Sequence, residues 1–193
     1  RKIFLLCLIL CILGMSAYWF IFTGINEYLS HEIGLTVDKT TIILIINQIG
    51  TFFGFLSFGY VEDTIGRRPA FTLYTFILAI SVSMITIMWN IINQIPILIF
   101  LFMFLVGFGT CYFGGFGTLF TELFPTKIRS TGSGTAFSIA RGAQFVTPII
   151  ISTIAAMYNL GIGIFLGAIF AILCGIWVWT LPETFGTLLG WES

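Results

Sequence analysis

The sequence predicts an all-α membrane protein with six transmembrane helices. Of its 193 residues, 58% are hydrophobic and only 8% are charged, whereas soluble domains carry about a quarter charged residues. Apolar segments of about 20 residues, the length that crosses a bilayer as a helix, occur six times along the chain. Since the bilayer core holds no water, backbone N–H and C=O groups there must bond within the segment, which favours helices.

The six predicted spans form one domain over residues 1–193 and are joined by short polar connectors. They cover residues 3–28, 41–61, 70–89, 97–120, 130–158 and 162–181, and residues 182–193 form a polar tail. Span two is spaced by Gly50, Gly54 and Gly59, a pattern that lets helix backbones approach closely. Because Arg1 is not a translation start, we expect the chain to be part of a longer protein.

Basic residues are divided unequally between the two sides of the predicted bundle. One side carries Arg1, Lys2, Arg67, Arg68, Lys127 and Arg129. The other side carries Lys39 alone. The positive-inside rule therefore places the first side, with both ends of the chain, in the cytoplasm. We expect a multi-pass protein of the plasma or inner membrane.

The connector between spans two and three reads GYVEDTIGRR, from Gly59 to Arg68. Asp63 ends a helix, and the turn Gly66, Arg67 and Arg68 brings two guanidinium groups beside it. Charge-assisted pairs of this kind can hold neighbouring helix ends together in one conformation and release them in another. The alternative is a basic loop that only sets topology.

This GxxxDxxGRR pattern resembles the loop between the second and third helices of each six-helix half in the major facilitator superfamily. Two further segments agree with that resemblance. The segment ELFP from Glu122, followed by Arg129, resembles the connector between helices ten and eleven, and PET from Pro182, with Gly186, resembles the close of helix twelve in sugar porters. The resemblance implies that the chain is the C-terminal half of a twelve-helix fold. Spans one, two, four and five would then surround a cavity, and spans three and six would face lipid. The partner would be a missing N-terminal half or a second copy.

Span five carries a single charge, Arg141, which lies 12 residues after Arg129. At a helical rise of 1.5 Å per residue this separation is about 18 Å, which puts Arg141 near the bilayer midplane. A cation there costs at least ~2.5 kcal/mol and normally faces a polar cavity or a partner. The run RxTGxG, followed by ARG and Pro148, resembles proton-coupled carriers of aromatic acids, sialate or monocarboxylates, which implies that Arg141 binds a carboxylate. The alternative is a structural arginine paired with a carboxylate of another helix.

Other polar and aromatic side chains on the four cavity spans complete the predicted substrate site. They are Tyr18, Trp19, Asn26, Asn47, Gln48, Tyr112 and Gln144. Each has the alternative of a helix–helix hydrogen bond. Proton coupling needs a titratable group, for which Glu27 is a secondary candidate, and we expect the main proton carrier in the absent half. His31 and Glu32, in an outer loop, are expected to be solvated.

These features together predict a secondary transporter that carries a small organic anion with protons by alternating access. A sugar or polyol porter is the alternative within transport, supported by the ELFP connector and the PETxG close. A non-transporting six-helix remnant or binding subunit is the alternative from another class. The sequence lacks a Walker-type glycine loop, zinc spacing and a nucleophile elbow, so neither an enzyme nor a cofactor is predicted. A net charge of zero with scattered basic residues argues against a nucleic-acid partner.

Overall fold

The computed structural model describes residues 2–92 and 95–185. Arg1, residues 93–94 and residues 186–193 lie outside the described part, and with them Gly186 of the PETxG segment and most of the predicted tail. Within the described ranges, six helices are long and apolar enough to cross a membrane, and no strand is present. The predicted fold class is therefore confirmed.

Spans one, two, three and six each contain one long α-helix. Span one ends in a π-helical turn, span three is followed by a short helix, and span six closes in a 3-10 turn. The bounds are Lys2–Glu27 with Tyr28–Glu32, Val37–Ile65, Arg67–Ile87 with Trp89–Ile92, and Leu160–Trp177 with Val178–Thr180.

Spans four and five are each interrupted near the middle by a 3-10 turn. Span four comprises Pro96–Gly109, Thr110–Tyr112 and Phe113–Leu123, and span five comprises Arg129–Ala143, Gln144–Val146 and Thr147–Met157. In span five the cause is Pro148, which has no N–H to donate to the carbonyl of Gln144. The N–H of Thr147 donates to that carbonyl instead and closes the tighter turn.

Spans two and four pack backbone against backbone. A Cβ on Gly107 would lie 2.0 Å from the carbonyl oxygen of Asn47, and one on Gly50 would lie 2.1 Å from that of Phe104. The Asn47 amide adds a hydrogen bond from Nδ2 to the carbonyl of Met103, at 3.0 Å. Glycine is needed at both positions because any side chain would separate the two helices.

Spans two and five are the least covered helices of the bundle. In an apolar stretch of 18 residues from each of these spans, 28% and 22% of the residues are buried, against 44–50% in the corresponding stretches of the other four spans. The exposed side chains of the two long helices Arg67–Ile87 and Leu160–Trp177 are all apolar: Leu73, Phe76, Ile80, Ile87, Ile162, Ile169, Leu173 and Ile176. Such surfaces suit contact with lipid, while the broad faces of spans two and five lack a neighbour within the described chain.

The loop after span one is tied to the start of span six by Glu32. Its carboxylate accepts hydrogen bonds from the backbone N–H groups of Leu160, at 2.6 Å, and Gly161, at 3.3 Å. Glu32 is exposed, as expected, but the sequence did not predict that its carboxylate also binds the start of span six. The first N–H groups of a helix have no partner within it and carry a partial positive charge, so a carboxylate in a neighbouring loop is stabilised there. His31 is exposed, as expected.

Candidate functional site

A cavity of about 340 Å³ lies among spans one, two, four and five. Arg141 lines it together with Tyr18 and Trp19 of span one. The other lining residues are Met15, Thr51, Phe55, Thr110, Phe113 and Phe137. We call this cavity the Arg141 pocket, and its walls come from the four spans that the sequence resemblance assigns to a transport cavity.

Arg141 is the only charged side chain among the residues that line this pocket. Arg141 lies on the exposed face of span five, and its side chain makes no hydrogen bond or ion pair with any residue in the ranges 2–92 and 95–185. The alternative in which it pairs with a carboxylate of another helix thus has no partner in this part of the protein. Its guanidinium group remains open to an anion in the pocket.

Aromatic side chains form the wall beside Arg141. The ring of Tyr18 stacks on Phe22 with the centroids 4.5 Å apart, and it meets Phe113 edge-on at 5.3 Å and Trp19 at 6.1 Å. Such offset and edge-on pairs stabilise one arrangement of the rings beyond simple burial. The pocket therefore combines one cation with a rigid aromatic wall, which suits a carboxylate joined to an apolar or unsaturated body.

The ends of spans two, three, four and six form a second polar cluster, which we call the charged end. Its centre is Arg67, whose guanidinium contacts Glu122 at two points, Nη2 to Oε1 at 2.7 Å and Nε to Oε2 at 3.3 Å. Arg67 also donates to Asp63 at 2.5 Å, and Glu62 lies 4.0 Å away while accepting a hydrogen bond from Thr118. One guanidinium group thus links the ends of spans two and four to the start of span three.

Glu183 of the PET segment closes this cluster from span six. Its carboxylate accepts hydrogen bonds from the backbone N–H groups of Arg67 and Arg68, both at 3.1 Å, where span three begins. Burial raises the pKa of the Glu183 carboxyl, but hydrogen bonds from the backbone N–H groups of Arg68, Phe185, Arg67 and Thr184 outweigh it and leave the pKa below its ordinary value. The hydroxyl of Thr184 donates to Glu122, so the three sequence signatures meet at one place.

Two glycines of the GxxxDxxGRR pattern differ in their structural roles. Gly66 has a φ of 101°, a conformation that favours glycine, and it turns the chain so that the N–H groups of span three face Glu183. A Cβ on Gly59 would meet nothing within 4 Å in the described chain. The close approach predicted from its spacing therefore has no partner helix here.

The two arginines of the pattern also make different contacts. Arg67 pairs with Asp63 as predicted, but Arg68 does not: its side chain forms no ion pair within the described ranges, and its buried Nε lacks a hydrogen-bond partner there. The physical reason is the helix that begins at Arg67, which turns successive side chains about 100° apart. Arg129 donates from Nε to the carbonyl of Phe124, at 3.3 Å, within its own connector.

A comparison with known families gives the family of this chain. The family model of the Major Facilitator Superfamily matches residues 4–188. The chain belongs to the Major Facilitator Superfamily. A superfamily member is a transporter rather than an enzyme, which confirms the prediction that the protein is not an enzyme.

Curated relatives of this major facilitator chain are also transport proteins. A cis,cis-muconate transport protein of Acinetobacter baylyi is 27% identical over 177 residues, which cover 91% of this chain and 42% of the relative. A sialic acid transporter of Escherichia coli K12 is 29% identical, with 85% and 39% covered. A proline/betaine transporter of the same strain is 30% identical, with 75% and 29% covered. The chain thus spans less than half the length of these relatives.

Three of the eight predicted substrate residues of this major facilitator chain come together in the Arg141 pocket, namely Arg141, Tyr18 and Trp19. Three others are buried in interhelical hydrogen bonds. Asn47 bonds to the carbonyl of Met103, the Tyr112 hydroxyl donates to the carbonyl of Gly14 at 2.6 Å, and Gln144 bonds to Ser16. Their contacts support the alternative stated above, in which each side chain forms a helix–helix hydrogen bond.

The last two predicted residues lie apart from the Arg141 pocket. Gln48 is exposed on span two and lines a separate shallow pocket with Thr41, Leu44, Ile45, Ile49, Phe52 and Phe53. Asn26 is exposed near the end of span one. A role of either residue in substrate binding stays a prediction, and it requires surfaces beyond the described chain.

Six pocket residues of this major facilitator chain were not predicted from the sequence. Helical spacing could have found three of them, because Met15 lies one turn before Tyr18 and Trp19, and Thr51 and Phe55 form an i, i+4 pair. Phe113 and Phe137 had no distinguishing signal, since the chain contains 22 phenylalanines. Only helix packing shows which of these rings face the cavity.

Proposed function

We propose that this chain is the C-terminal half of a secondary transporter that moves a small organic anion by alternating access, in symport with protons. The observation that supports the proposal is Arg141, a guanidinium group without a partner in the described chain that lies on an aromatic pocket. A cation at mid-membrane depth requires a polar cavity or a partner. The carboxylate of a bound substrate supplies that partner.

The chemistry of the relatives' substrates agrees with a carboxylate site. Muconate, sialic acid, proline and betaine, which appear in the names of the curated relatives, all carry a carboxylate. A guanidinium group binds a carboxylate through two parallel hydrogen bonds in a fixed orientation. The aromatic wall then contacts the remainder of the substrate, and its character selects among carboxylates.

Alternating access requires a second six-helix unit opposite this one. The exposed faces of spans two and five, the least buried of the six, are the surfaces through which we propose that an N-terminal half or a second copy packs. Rocking of the two units about a central site would expose Arg141 to each side of the membrane in turn. The charged end then opens and closes on the side that we propose is cytoplasmic.

Proton coupling is proposed to depend on the other half. The residues that line the Arg141 pocket include no carboxylate and no histidine. Glu27, the secondary candidate, is exposed at the end of span one and does not line this pocket. We therefore propose that the carrier lies on the opposing surface, where it would face Arg141 when the two halves close.

Uptake by the full-length transporter in proteoliposomes tests the proposal. The probes are radiolabelled cis,cis-muconate, benzoate, N-acetylneuraminate and proline, with an inward proton gradient. We expect Arg141→Gln to reduce carboxylate uptake about 10- to 100-fold, because a charge-assisted interaction is worth about 1.5–3 kcal/mol. Lys39→Gln, at the opposite end of span two from the charged end, is the control. Unchanged uptake in Arg141→Gln would overturn the carboxylate site. An uptake rate that does not depend on the proton gradient would overturn symport.

A sugar or polyol porter is the second candidate. It is favoured by the contact between Glu122 of the ELFP connector and Thr184 of the PET segment, since both segments resemble those of sugar porters. Competition decides between the two candidates: glucose and myo-inositol would displace the probe from a sugar porter, whereas benzoate would displace it from an anion carrier. Failure of a correctly inserted protein to take up any probe would favour the non-transporting binding subunit.

A further inference from the structure

The interruption of span five lies directly beside Arg141. The backbone N–H of Gln144 donates to the carbonyl of Arg141, and the first part of the span ends at Ala143. A regular helix would fix the direction of Arg141 through the bonds of the following turn, but the 3-10 turn replaces those bonds. The position of the guanidinium group relative to the rest of the pocket therefore depends on what holds this turn.

Gln144 holds the turn through four contacts of its side-chain amide. Nε2 donates to the carbonyl of Ala140 and to the hydroxyl of Ser16, both at 3.2 Å, while Oε1 accepts from Thr147 at 2.9 Å and from Ser16 at 3.3 Å. Gln144, Ser16 and Thr147 are all buried, with 6%, 7% and 3% of their surface exposed. One amide thus bonds to span five on both sides of the interruption.

The same amide connects span five to the aromatic wall of the pocket. Ser16 directly follows Met15 and precedes Tyr18 and Trp19 by one helical turn or less, and these three neighbours line the pocket. Because Ser16 belongs to the continuous helix Lys2–Glu27, the hydrogen bonds from Gln144 set the separation between Arg141 and the wall. An amide whose donors and acceptors are all satisfied prefers one geometry in an apolar environment.

We infer that Gln144 is a positioning residue for substrate binding, which acts by fixing Arg141 against the aromatic wall through Ser16. It does not itself touch the substrate. This inference rests on the proposed role of Arg141 as the carboxylate ligand. It adds that the affinity for the carboxylate depends on a buried polar link between spans one and five.

The first test is chemical labelling and needs no substrate. The full-length transporter is treated with p-hydroxyphenylglyoxal, which modifies arginine, and the rate at Arg141 is followed by mass spectrometry. We expect Gln144→Leu and Ser16→Ala to raise this rate at least about threefold, the factor that corresponds to a typical interhelical hydrogen bond in a membrane. Arg129 serves as the internal reference, and Ser16→Thr, which keeps a hydroxyl, should restore the wild-type rate.

The second test separates substrate binding from turnover. With radiolabelled benzoate and cis,cis-muconate as probes, we expect Gln144→Leu and Ser16→Ala to raise KM about three- to tenfold while the maximal rate and the amount of inserted protein stay near wild type. Thr72→Val is the matched control, because Thr72 donates to the carbonyl of Gly175 between spans three and six, at 2.9 Å and away from the pocket.

The outcomes distinguish this inference from the proposed function. Wild-type labelling at Arg141 in Gln144→Leu would overturn the inference, as would equal changes in Thr72→Val, which would indicate general loosening of the bundle. Full uptake by Arg141→Gln would overturn the proposed function instead, whatever the labelling shows. Loss of uptake in Arg141→Gln, with unchanged KM and labelling in Gln144→Leu, would leave the function standing and remove Gln144 from the site.

Discussion

Arg67 and Glu122 form a two-point ion pair that joins the start of span three to the end of span four. Both side chains are largely buried, with 13% and 15% of their surface exposed, and the hydroxyl of Thr184 binds the same carboxylate. Loss of Glu122 would leave Arg67 with Asp63, whose side chain is 69% exposed, and with Glu62 at 4.0 Å, so the buried part of the pairing would be lost. The charged end therefore depends on both residues being present together.

Glu122→Gln is expected to destabilise the protein by about 2 kcal/mol, the usual worth of a hydrogen bond to a charged group. The thermal unfolding midpoint of the purified full-length transporter in detergent measures this effect. Lys127→Gln is the control, since Lys127 is exposed in the same region and forms no ion pair with a described residue. Equal midpoints for Glu122→Gln and the wild type would contradict the prediction.

Glu183→Gln is expected to weaken the start of span three by about 1 kcal/mol, the typical value of a helix cap. The pKa of Glu183 is lower in the folded protein than its ordinary value of 4.5, so the carboxylate contributes its full stabilisation above that value. The contribution is lost as the pH falls through the folded pKa. Thermal midpoints measured from pH 3 to pH 7 should therefore converge for wild type and Glu183→Gln at the acidic end. A difference for Glu183→Gln that stays constant over this pH range would refute the cap.

Gly107→Ala is expected to prevent the close packing of spans two and four. Its Cβ would lie 2.0 Å from the backbone oxygen of Asn47, which cannot move without displacing the helix. We expect the yield of folded, monodisperse full-length protein in size-exclusion chromatography to fall severalfold. Gly163→Ala is the matched control, because its Cβ would make ordinary contacts with Ile151 at 3.5 Å or more. Comparable yields for the two variants would show that the glycine contact is not required.

Tyr18 and Tyr112 are expected to respond differently to substitution. Tyr112→Phe leaves the carbonyl of Gly14 without its hydrogen bond, so the free energy of unfolding should fall by about 1 kcal/mol with little change in KM. Tyr18→Leu removes an aromatic face from the Arg141 pocket and should raise KM for benzoate about three- to tenfold, as the loss of an aromatic contact worth about 1 kcal/mol implies. Uptake kinetics and thermal unfolding of the full-length protein measure both effects, and a larger KM change in Tyr112→Phe would place that tyrosine at the substrate instead.

Part of the candidate site could be predicted from the sequence because the relevant contacts are local. Asp63 and Arg67 are four residues apart and are separated by the turn at Gly66, so their pairing follows from the chain order. Arg141 was identifiable for a related reason: a single charge in a long apolar segment requires a cavity or a partner wherever the helix is placed. Neither conclusion needs the arrangement of the other helices.

The remaining contacts depend on how each helix is rotated and shifted against its neighbours. Asn47, Tyr112 and Gln144 looked like substrate ligands, yet they face adjacent helices and bond to Met103, Gly14 and Ser16. A polar side chain in an apolar span must find a hydrogen-bond partner, but the sequence does not say whether the partner is a substrate or a helix.

The sequence by itself determined the number of spans, their membrane character and the isolated charge of Arg141, because hydrophobic length and charge are properties of each segment alone. Only the tertiary structure decided that Glu183 caps span three, that Glu122 meets Arg67 and that Phe113 and Phe137 join Arg141 in one pocket. Those relationships join residues far apart in the chain. They are set by the packing of glycine-lined helix faces against each other, whose register and rotation no single segment contains.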